Sequence, residues 1–438
     1  MPVGVIIGHA ITAALVILVT SGVWIGVYFA AIKPASNGGD TYNYYGNCST
    51  QSGTSNTSSN NDSSTCSPPP QEKCGNTCEF VICESIPAGL TFDPTYPIYN
   101  STTNCWLRLM SEAQKDILIG SYYWSLLVQN TGDNYTVDTT GTAGDGQKIY
   151  ETLLKTAQRG VRTRIAQTYQ AGEDLTKLLE IYWDMGAPGA KIPQSWPEAY
   201  ATPAYHERPT SVPQPAGNQA VYFSASPPGF QSCGRESDID AMVKLIDAAQ
   251  DTLDLAVMDY APCTLYLKPL NTWYGRLDEA IRRAAFERQV KVRFLYSRWS
   301  HTSAKYYSYL HSLQDLSSQL PCVYSTSNKC IRYGSIEVRL IQVPDMQYGN
   351  IPFSRVYHNK YFVTESALYL GTSNWTPDYW KYTAGIGMVV RSDDTSQKSY
   401  LVSQFAQIFE RDWNSTYTIP LSYFDNNGKW TNGTKLTL

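Results

Sequence analysis

The chain has 438 residues, with 34 Lys or Arg against 38 Asp or Glu, so its formal net charge is −4 at pH 7. Charged residues make up only 16% of it and hydrophobic residues 42%, which excludes a basic nucleic-acid-binding tail, an acidic disordered chain and a charged coiled coil. This length and apolar content suffice for a large core in roughly two to three domains. Because the net charge is slightly negative, any phosphate site must be local.

The chain begins with an apolar segment. Residues 3–32 contain no charged side chain, and a bilayer core needs about 20 apolar residues, so we expect residues 1–33 to form an N-terminal signal-anchor transmembrane helix. A cleaved signal peptide is the alternative, but its apolar region would span only about 7–15 residues, preceded by basic ones. All ten cysteines and eight Asn-x-Ser/Thr sequons follow this segment. Together they predict a single-pass type II membrane protein whose body is lumenal or extracellular, in the endoplasmic reticulum, Golgi or endolysosome.

Residues 34–73 are rich in Ser, Asn and Thr. They lack the apolar surface needed to offset chain entropy, so we expect a disordered, glycosylated stalk. The candidate glycosylation sites are Asn47, Asn56, Asn61, Asn100, Asn134, Asn414 and Asn432. Cys322 and Cys330 flank a polar turn and predict a local disulfide, whereas the other pairings stay open. No Cys/His spacing typical of a metal site occurs, so we expect none.

The body of the chain contains one pattern twice. EAQKDILIGSYYW (112–124) matches AAQDTLDLAVMDY (248–260), and the helix and strand of 150–166 match those of 277–295. This strand–helix–strand order predicts an α/β fold with a largely parallel or mixed sheet flanked by helices in each repeat. We therefore assign 74–216 to a first repeat with its linker and 217–438 to a second. The first repeat is truncated, since about a hundred residues of the second have no counterpart in it.

That unmatched interval of the second repeat contains HNKYFVTESALYLGTSNW, residues 358–375. On a strand, His358 and Lys360 point to the same face because they are two residues apart. An imidazole can attack phosphorus as a nucleophile, and the donors of Lys360, Ser373 and Asn374 can bind phosphate oxygens. The segment therefore predicts a phosphodiester site. A glycan would fill that site, so we expect the sequon at Asn374 to be unmodified.

The same segment resembles the HxKx4D/E–GSxN signature of the phospholipase D superfamily, with Glu365 at the acidic position. More closely, the chain resembles the type II membrane, endolysosomal branch of 5′-exonucleases that act on single-stranded nucleic acid. Further matching segments are ESIP (84–87), SYYW (121–124), DLTKLLEIYW (174–183), PQSWP (193–197), SASPPGF (224–230) and SRWSH (297–301). The resemblance implies that His358, Lys360 and Glu365 are catalytic and that Lys360, Ser373 and Asn374 bind phosphate. It implies no cofactor, and it offers His301 as a residue lining the substrate, against the alternative of a packing or surface residue.

Members of that family carry one HxK motif in each repeat, so that one His forms a phosphohistidine while the other transfers protons. The first repeat here has no such motif. His9 lies in the expected membrane span, His206 lacks the companion residues, and His311 is expected to be solvated. Two functions follow: an impaired phosphodiesterase, or an inactive membrane-tethered pseudoenzyme that binds nucleic acid, phosphate esters or a protein partner. A homodimer that completes the site and an incomplete gene model or splice form are further explanations of the missing motif.

Overall fold

The computed structural model describes residues 3–8, 19–20, 23–24, 79–121, 126–127, 143–167, 184, 189–202, 204–212, 217–345, 355–392 and 399–433. The expected stalk, His9 and most of the expected anchor lie outside these residues. Where the anchor is described, it is extended and not helical, in Val3–Gly8 (β1), Val19–Thr20 (β2) and Val23–Trp24 (β3). Within the described ranges, no helix is both long and apolar enough to cross a bilayer.

The first repeat forms a small α/β unit. Its elements are Glu79–Glu84 (β4), Asn100–Ser101 (β5), Thr102–Glu112 (α1), Asp116–Ser121 (β6), Ala143–Gln158 (α2) and Arg162–Gln167 (β7). β6 and β7 pair in parallel, and β4 lies between β1 and β5. A disulfide between Cys83 and Cys105 joins β4 to α1 and is packed in the same small core as Trp106.

A ten-stranded mixed sheet forms the second repeat together with the end of the linker. Its strands are Thr210–Val212 (β8), Gln219–Ser226 (β9), Glu236–Ser237 (β10), Thr252–Val257 (β11), Lys291–Ser297 (β12), Ser335–Ile341 (β15), Lys360–Thr364 (β16), Ala367–Gly371 (β17), Gly385–Ser392 (β18) and Thr418–Pro420 (β19). A separate hairpin of Cys322–Tyr324 (β13) and Cys330–Tyr333 (β14) is closed by the Cys322–Cys330 disulfide, as the spacing predicts.

The sheet order is β10-β9-β18-β17-β16-β11-β12-β15-β19, with β8 beside β9. The helices are Asp238–Ala248 (α3), Arg276–Glu287 (α4), Ala304–Gln314 (α5), Pro377–Tyr382 (α6) and Tyr400–Trp413 (α7). The apolar faces of α3, α4 and α5 pack in the core on one side of the sheet, and α7 packs in the core on the other. Because both faces are covered, β16 and β17 are buried at every position.

The second repeat has a mixed sheet, the second of the two expected alternatives, and not a largely parallel one. Parallel pairing in this sheet is confined to β9–β10, β11–β12 and β12–β15, and the other neighbours are antiparallel. The physical reason is the short connection from β16 to β17, since a parallel pair would need a long crossover. A mixed sheet results, with the parallel strands limited to the βα units.

The two βαβ units share one register. Asp254 lies opposite Arg293 in the β11–β12 pair, and Leu118 lies opposite Arg164 in the β6–β7 pair. In the repeated sequence pattern, Leu118 corresponds to Asp254 and Arg164 corresponds to Arg293. In the second repeat the Arg293 guanidinium holds the Asp254 carboxylate with two contacts of 2.7 Å, a contact that Leu118 cannot reproduce in the first.

Candidate active site

The candidate site lies at the edge of the sheet where β11 ends and β16 begins. The last residue of β11 pairs with Lys360, and the N–H of Met258 then donates to the Asn359 carbonyl at 3.0 Å. Continuing this antiparallel register places Asp259 opposite His358. Because cross-strand partners share a face, Asp259, His358 and Lys360 lie on the same side of the sheet.

His358 and Lys360 contact each other. The Nζ of Lys360 lies 3.4 Å from His358 Nδ1 and donates to the His358 carbonyl at 3.2 Å, and each residue is 2% exposed. Burial lowers the pKa of His358 well below 6.5, and the Lys360 charge lowers it further. Burial also lowers the pKa of Lys360 to about 7, against the opposing effect of Asp259. His358 is therefore neutral, which is the state that a nucleophile needs.

The turn of residues 371–374 crosses the beginning of β16. In the sheet, β16 separates β17 from β11. Even so, Trp375, directly after the turn, donates its N–H to the Asp259 carbonyl at 2.8 Å and accepts from Ala261 at 3.1 Å. The turn must therefore pass over the end of β16 that carries Lys360. This crossing brings the predicted phosphate-binding residues to the HxK motif and helps to close the site to solvent.

Ser373 and Asn374 are both buried in this crossing turn. Within the described residues, the Ser373 hydroxyl has no hydrogen-bond partner, and a Cβ at position 385 would lie 2.2 Å from it, so only a glycine fits there. The Asn374 Nδ2 donates to Asp259 at 3.2 Å and to the Tyr379 hydroxyl at 3.1 Å. An unpaired buried hydroxyl is costly, so Ser373 is a donor that a phosphate oxygen would satisfy.

Asp259 is a residue of this site that the sequence analysis missed. Its carboxylate accepts from Tyr296 at 3.4 Å and from Tyr266 at 3.5 Å, and the Tyr266 hydroxyl lies 2.9 Å from that of Tyr306. Burial raises the pKa of Asp259 to about 6, although Lys360 opposes the shift. The available signal was a carboxylate directly after an apolar strand, in the stretch LDLAVMDY, at the end where β11 meets the motif strand.

Glu365 lies at the other end of β16. Its carboxylate accepts from the backbone N–H groups of Gln250, Asp251 and Thr252 at 2.9, 3.2 and 3.1 Å. Five residues of strand separate it from Lys360, which is about 16 Å. The structure thus places Glu365 at the turn before β11, and its predicted catalytic role stays a prediction.

The other histidines lie elsewhere. His301 is exposed after the end of β12, at the same edge of the sheet, with its ring 4.6 Å from that of Trp299, and its substrate-lining role stays a prediction. His206 lies 3.1 Å from the Tyr222 hydroxyl, and Arg391 donates to its carbonyl at 2.6 Å. Both contacts fasten the linker to the sheet. No group of His, Cys, Asp and Glu in the described part of the chain could hold a metal ion.

The sequons divide by exposure. Asn100, Asn414 and Asn432 are exposed, whereas Asn374 is 5% exposed. Asn47, Asn56, Asn61 and Asn134 lie outside the described residues. The exposed three are compatible with the predicted glycosylation, and the buried one has no room for a glycan.

Comparison with known proteins identifies the family. A family model described as "PLD3/4, PLD-like domain" matches residues 165–330. The chain is 30% identical over 420 positions to the 5′-3′ exonuclease PLD3 of Xenopus laevis, covering 79% of this chain and 82% of that protein. It is 31% identical over 422 positions to human 5′-3′ exonuclease PLD4, covering 79% of each. This chain belongs to the phospholipase D superfamily, in its PLD3/PLD4 branch.

The family includes a probable phospholipase D of Caenorhabditis elegans, F09G2.8, which is 30% identical over 419 positions, covering 79% of this chain and 71% of that protein. Among solved structures, NucT from Helicobacter pylori is similar at 13% identity, over 46% of this chain and 99% of that one, with a TM-score of 0.32.

The PLD3 alignment also bears on the missing interval. Since 79% of 438 residues is about 346, about 74 of the 420 aligned positions of the Xenopus protein face a gap in this chain. A gap of that order is similar in size to the interval that the repeat comparison finds missing from the first repeat.

Proposed function

We propose that this phospholipase D family member is a phosphodiesterase of the 5′-exonuclease type that cleaves single-stranded nucleic acid with His358 as its nucleophile. The observation that carries the proposal is the buried contact between the His358 imidazole and the Lys360 ammonium, beside the donors of Ser373 and Asn374. The relatives named 5′-3′ exonucleases support the nucleic-acid substrate.

In this proposal Lys360, Ser373 and Asn374 donate to the non-bridging oxygens of the scissile phosphate. Attack through His358 Nε2 requires the ring proton on Nδ1. That state is reached when Lys360 turns its protons to the phosphate, because it then no longer donates to Nδ1. The structure is closed around His358, so the segments around the site must move before a substrate enters.

We further propose that hydrolysis is impaired relative to relatives with two HxK motifs. A proton-transfer partner contributes about 10²–10⁴-fold to such a reaction, and the first repeat lacks the second motif. A substrate whose leaving group needs no proton should bypass this loss.

The experiment uses the purified full chain with p-nitrophenyl esters of thymidine 5′-phosphate and 3′-phosphate. We expect a burst of one p-nitrophenolate per chain. We also expect a phosphohistidine at His358, which is detected by quenching the reaction in base and locating the modified residue by mass spectrometry. His358→Ala should abolish the burst. His311→Ala, a histidine on α5, is the matched control and should keep it. A burst that persists in His358→Ala would refute the proposal.

A pseudoenzyme is the second candidate, and it is favoured by the closed site, in which His358 and Lys360 are each 2% exposed. It would bind nucleic acid, phosphate esters or a protein partner without cleavage. Binding of a 5′-phosphorylated oligonucleotide in the absence of any burst would identify it.

We also propose a type II orientation with the body on the lumenal side, tethered by the N-terminal segment. The disulfides Cys83–Cys105 and Cys322–Cys330 support an oxidising compartment. Glycosidase treatment tests this orientation: it should increase the gel mobility of the wild-type protein, and the Asn100→Gln, Asn414→Gln and Asn432→Gln variants show which sequons carry the glycans. A wild-type protein whose mobility does not change on treatment would contradict the proposal. A homodimer that completes the site would show two chains per sedimenting particle.

A further inference from the structure

We propose that Asp259 is the proton-transferring group that works with His358 in this chain, at the stage where the family resemblance implies a second imidazole. The inference rests on the proposed function, since it assigns the other half of the reaction to the same site. It predicts that cleavage of a true nucleotide ester depends on a carboxyl group of the second repeat and needs no residue of the first.

The position of Asp259 carries the inference. Continuing the β11–β16 register places it directly opposite His358, and cross-strand partners have Cβ atoms about 4.5–5.5 Å apart. Asn374 of the phosphate-binding turn donates to its carboxylate at 3.2 Å. The backbone N–H of Trp375 also donates to the main-chain carbonyl of Asp259 at 2.8 Å, which fixes the backbone of Asp259 beside the crossing turn.

The surroundings of Asp259 favour a carboxyl group that holds a proton at mildly acidic pH. It is 6% exposed, and burial raises its pKa to about 6. A proton donor works best when its pKa is close to the working pH. Five groups face Asp259 directly: His358 and Lys360 from the β16 segment, Tyr296 from β12, Tyr266 from the loop after β11 and Asn374 from the crossing turn. Behind them, Tyr306 of α5 contacts Tyr266, and Tyr379 of α6 contacts Asn374.

The reaction balances in two steps. First, His358 Nε2 bonds to phosphorus while the bond from phosphorus to the leaving oxygen breaks, and the Asp259 proton moves to that oxygen. Second, the Asp259 carboxylate takes a proton from water, whose oxygen bonds to phosphorus as the P–N bond to His358 breaks. A diester and water thus give a monoester and an alcohol, and both residues return to their starting states.

The test compares wild type and Asp259→Asn on two substrates: the p-nitrophenyl ester and a 5′-labelled single-stranded DNA. Because p-nitrophenolate leaves without a proton, Asp259→Asn should keep the His358-dependent burst. The rate at which Asp259→Asn cleaves DNA should be about 10²–10⁴-fold lower than that of the wild type. Between the pKa of Asp259, about 6, and that of Lys360, about 7, the wild-type rate on DNA should fall with rising pH. The residual rate of Asp259→Asn should lack the part of this fall that comes from the carboxyl group.

Asp238→Asn is the matched control, because Asp238 is also a buried carboxyl that accepts two hydroxyl hydrogen bonds, from Ser224 and Tyr369, away from the motif. It should keep both activities and the pH profile. Equal or faster DNA cleavage by Asp259→Asn would overturn the inference, as would loss of the burst in a folded Asp259→Asn protein. A wild-type burst without DNA cleavage would overturn it too, whereas a wild type with no burst would refute the proposed function first.

Discussion

Arg411 of α7 and Glu84 of β4 form a bidentate ion pair in which the side chains are 0% and 1% exposed. The two nitrogen–oxygen distances are 2.9 and 3.0 Å, and the Asp412 carboxylate lies 3.0 Å from the same guanidinium. The pair joins residues 327 positions apart. It therefore fastens the first strand of the first repeat to the last helix of the second.

Removing one member of this pair should be strongly destabilising. Arg411→Met leaves Glu84 buried without its partner, and such a loss costs about 3–5 kcal/mol. Replacing both residues, as Glu84→Leu with Arg411→Met, should recover part of it, because Glu84 is then no longer buried without a partner, whereas the buried Asp412 carboxylate still loses its guanidinium contact. Urea unfolding measures both values. The exposed Arg108–Glu112 pair is the control, and Arg108→Ala should cost only about 0.3–0.5 kcal/mol. A double variant as unstable as the single one would contradict this account.

Glu365 should act on stability more than on chemistry. Glu365→Ala removes the acceptor of three backbone N–H groups before β11, and hydrogen bonds to a charged group are worth about 1.5–3 kcal/mol each. We expect a lower melting temperature with an unchanged burst per folded molecule. The melting temperature of Glu365→Gln should lie between those of the wild type and Glu365→Ala. A folded Glu365→Ala protein without a burst would instead assign Glu365 to the chemistry.

The stability of the fold should depend on pH through Asp238. Burial raises the pKa of this carboxyl from 3.8 to about 6, so the folded state binds a proton that the unfolded state has lost. Its contribution to stability is thus complete below about pH 4 and is lost as the pH rises through about 6. Asp238→Asn should flatten that part of the curve in melting experiments from pH 4 to 7. Asp240→Asn, an exposed neighbour paired with Arg276, should leave the slope intact.

The Cys83–Cys105 and Cys322–Cys330 disulfides should differ in their resistance to reduction. Cys330 is exposed in its hairpin, whereas Cys83 and Cys105 are 0% and 1% exposed. Thiolate attack requires access to sulfur, so mild reductant in native buffer should open Cys322–Cys330 first. Alkylation followed by mass spectrometry locates the labelled cysteines, and Cys263, a buried thiol, should label only after unfolding. Early labelling of Cys83 or Cys105 would show that their core is open in solution.

The sequence pattern predicts the βαβ units well, since the strands of β11 and β12 and the helix between them follow from apolar periodicity. The shared face of His358 and Lys360 follows from strand geometry alone. The apolar pattern alone did not give the strand direction around them, because β16 and β17 are buried on both faces and read as continuous apolar runs in either orientation. Their connection consists of only two polar residues, Glu365 and Ser366, and was the missed sign of an antiparallel hairpin.

The candidate site was predictable only for residues that are close in sequence. Asp259 lies about a hundred positions before His358 and meets it only through the β11–β16 register. The catalytic role of Glu365 is implied by the family resemblance alone and stays a prediction, because strand geometry separates its carboxylate from Lys360. Five residues of extended strand separate far more than five residues of helix would, and this moves Glu365 to the far edge of the sheet.

The position of Asn374 has a consequence for biosynthesis. The sequon nitrogen that an oligosaccharide would occupy is the one that donates to Asp259 and Tyr379 inside the folded body. In any compartment where nascent chains receive sugars, a molecule modified there could not complete its core. In such a compartment, folding of the strands around Asn374 competes kinetically with its glycosylation. Only molecules that remain unmodified at this asparagine can reach the folded state.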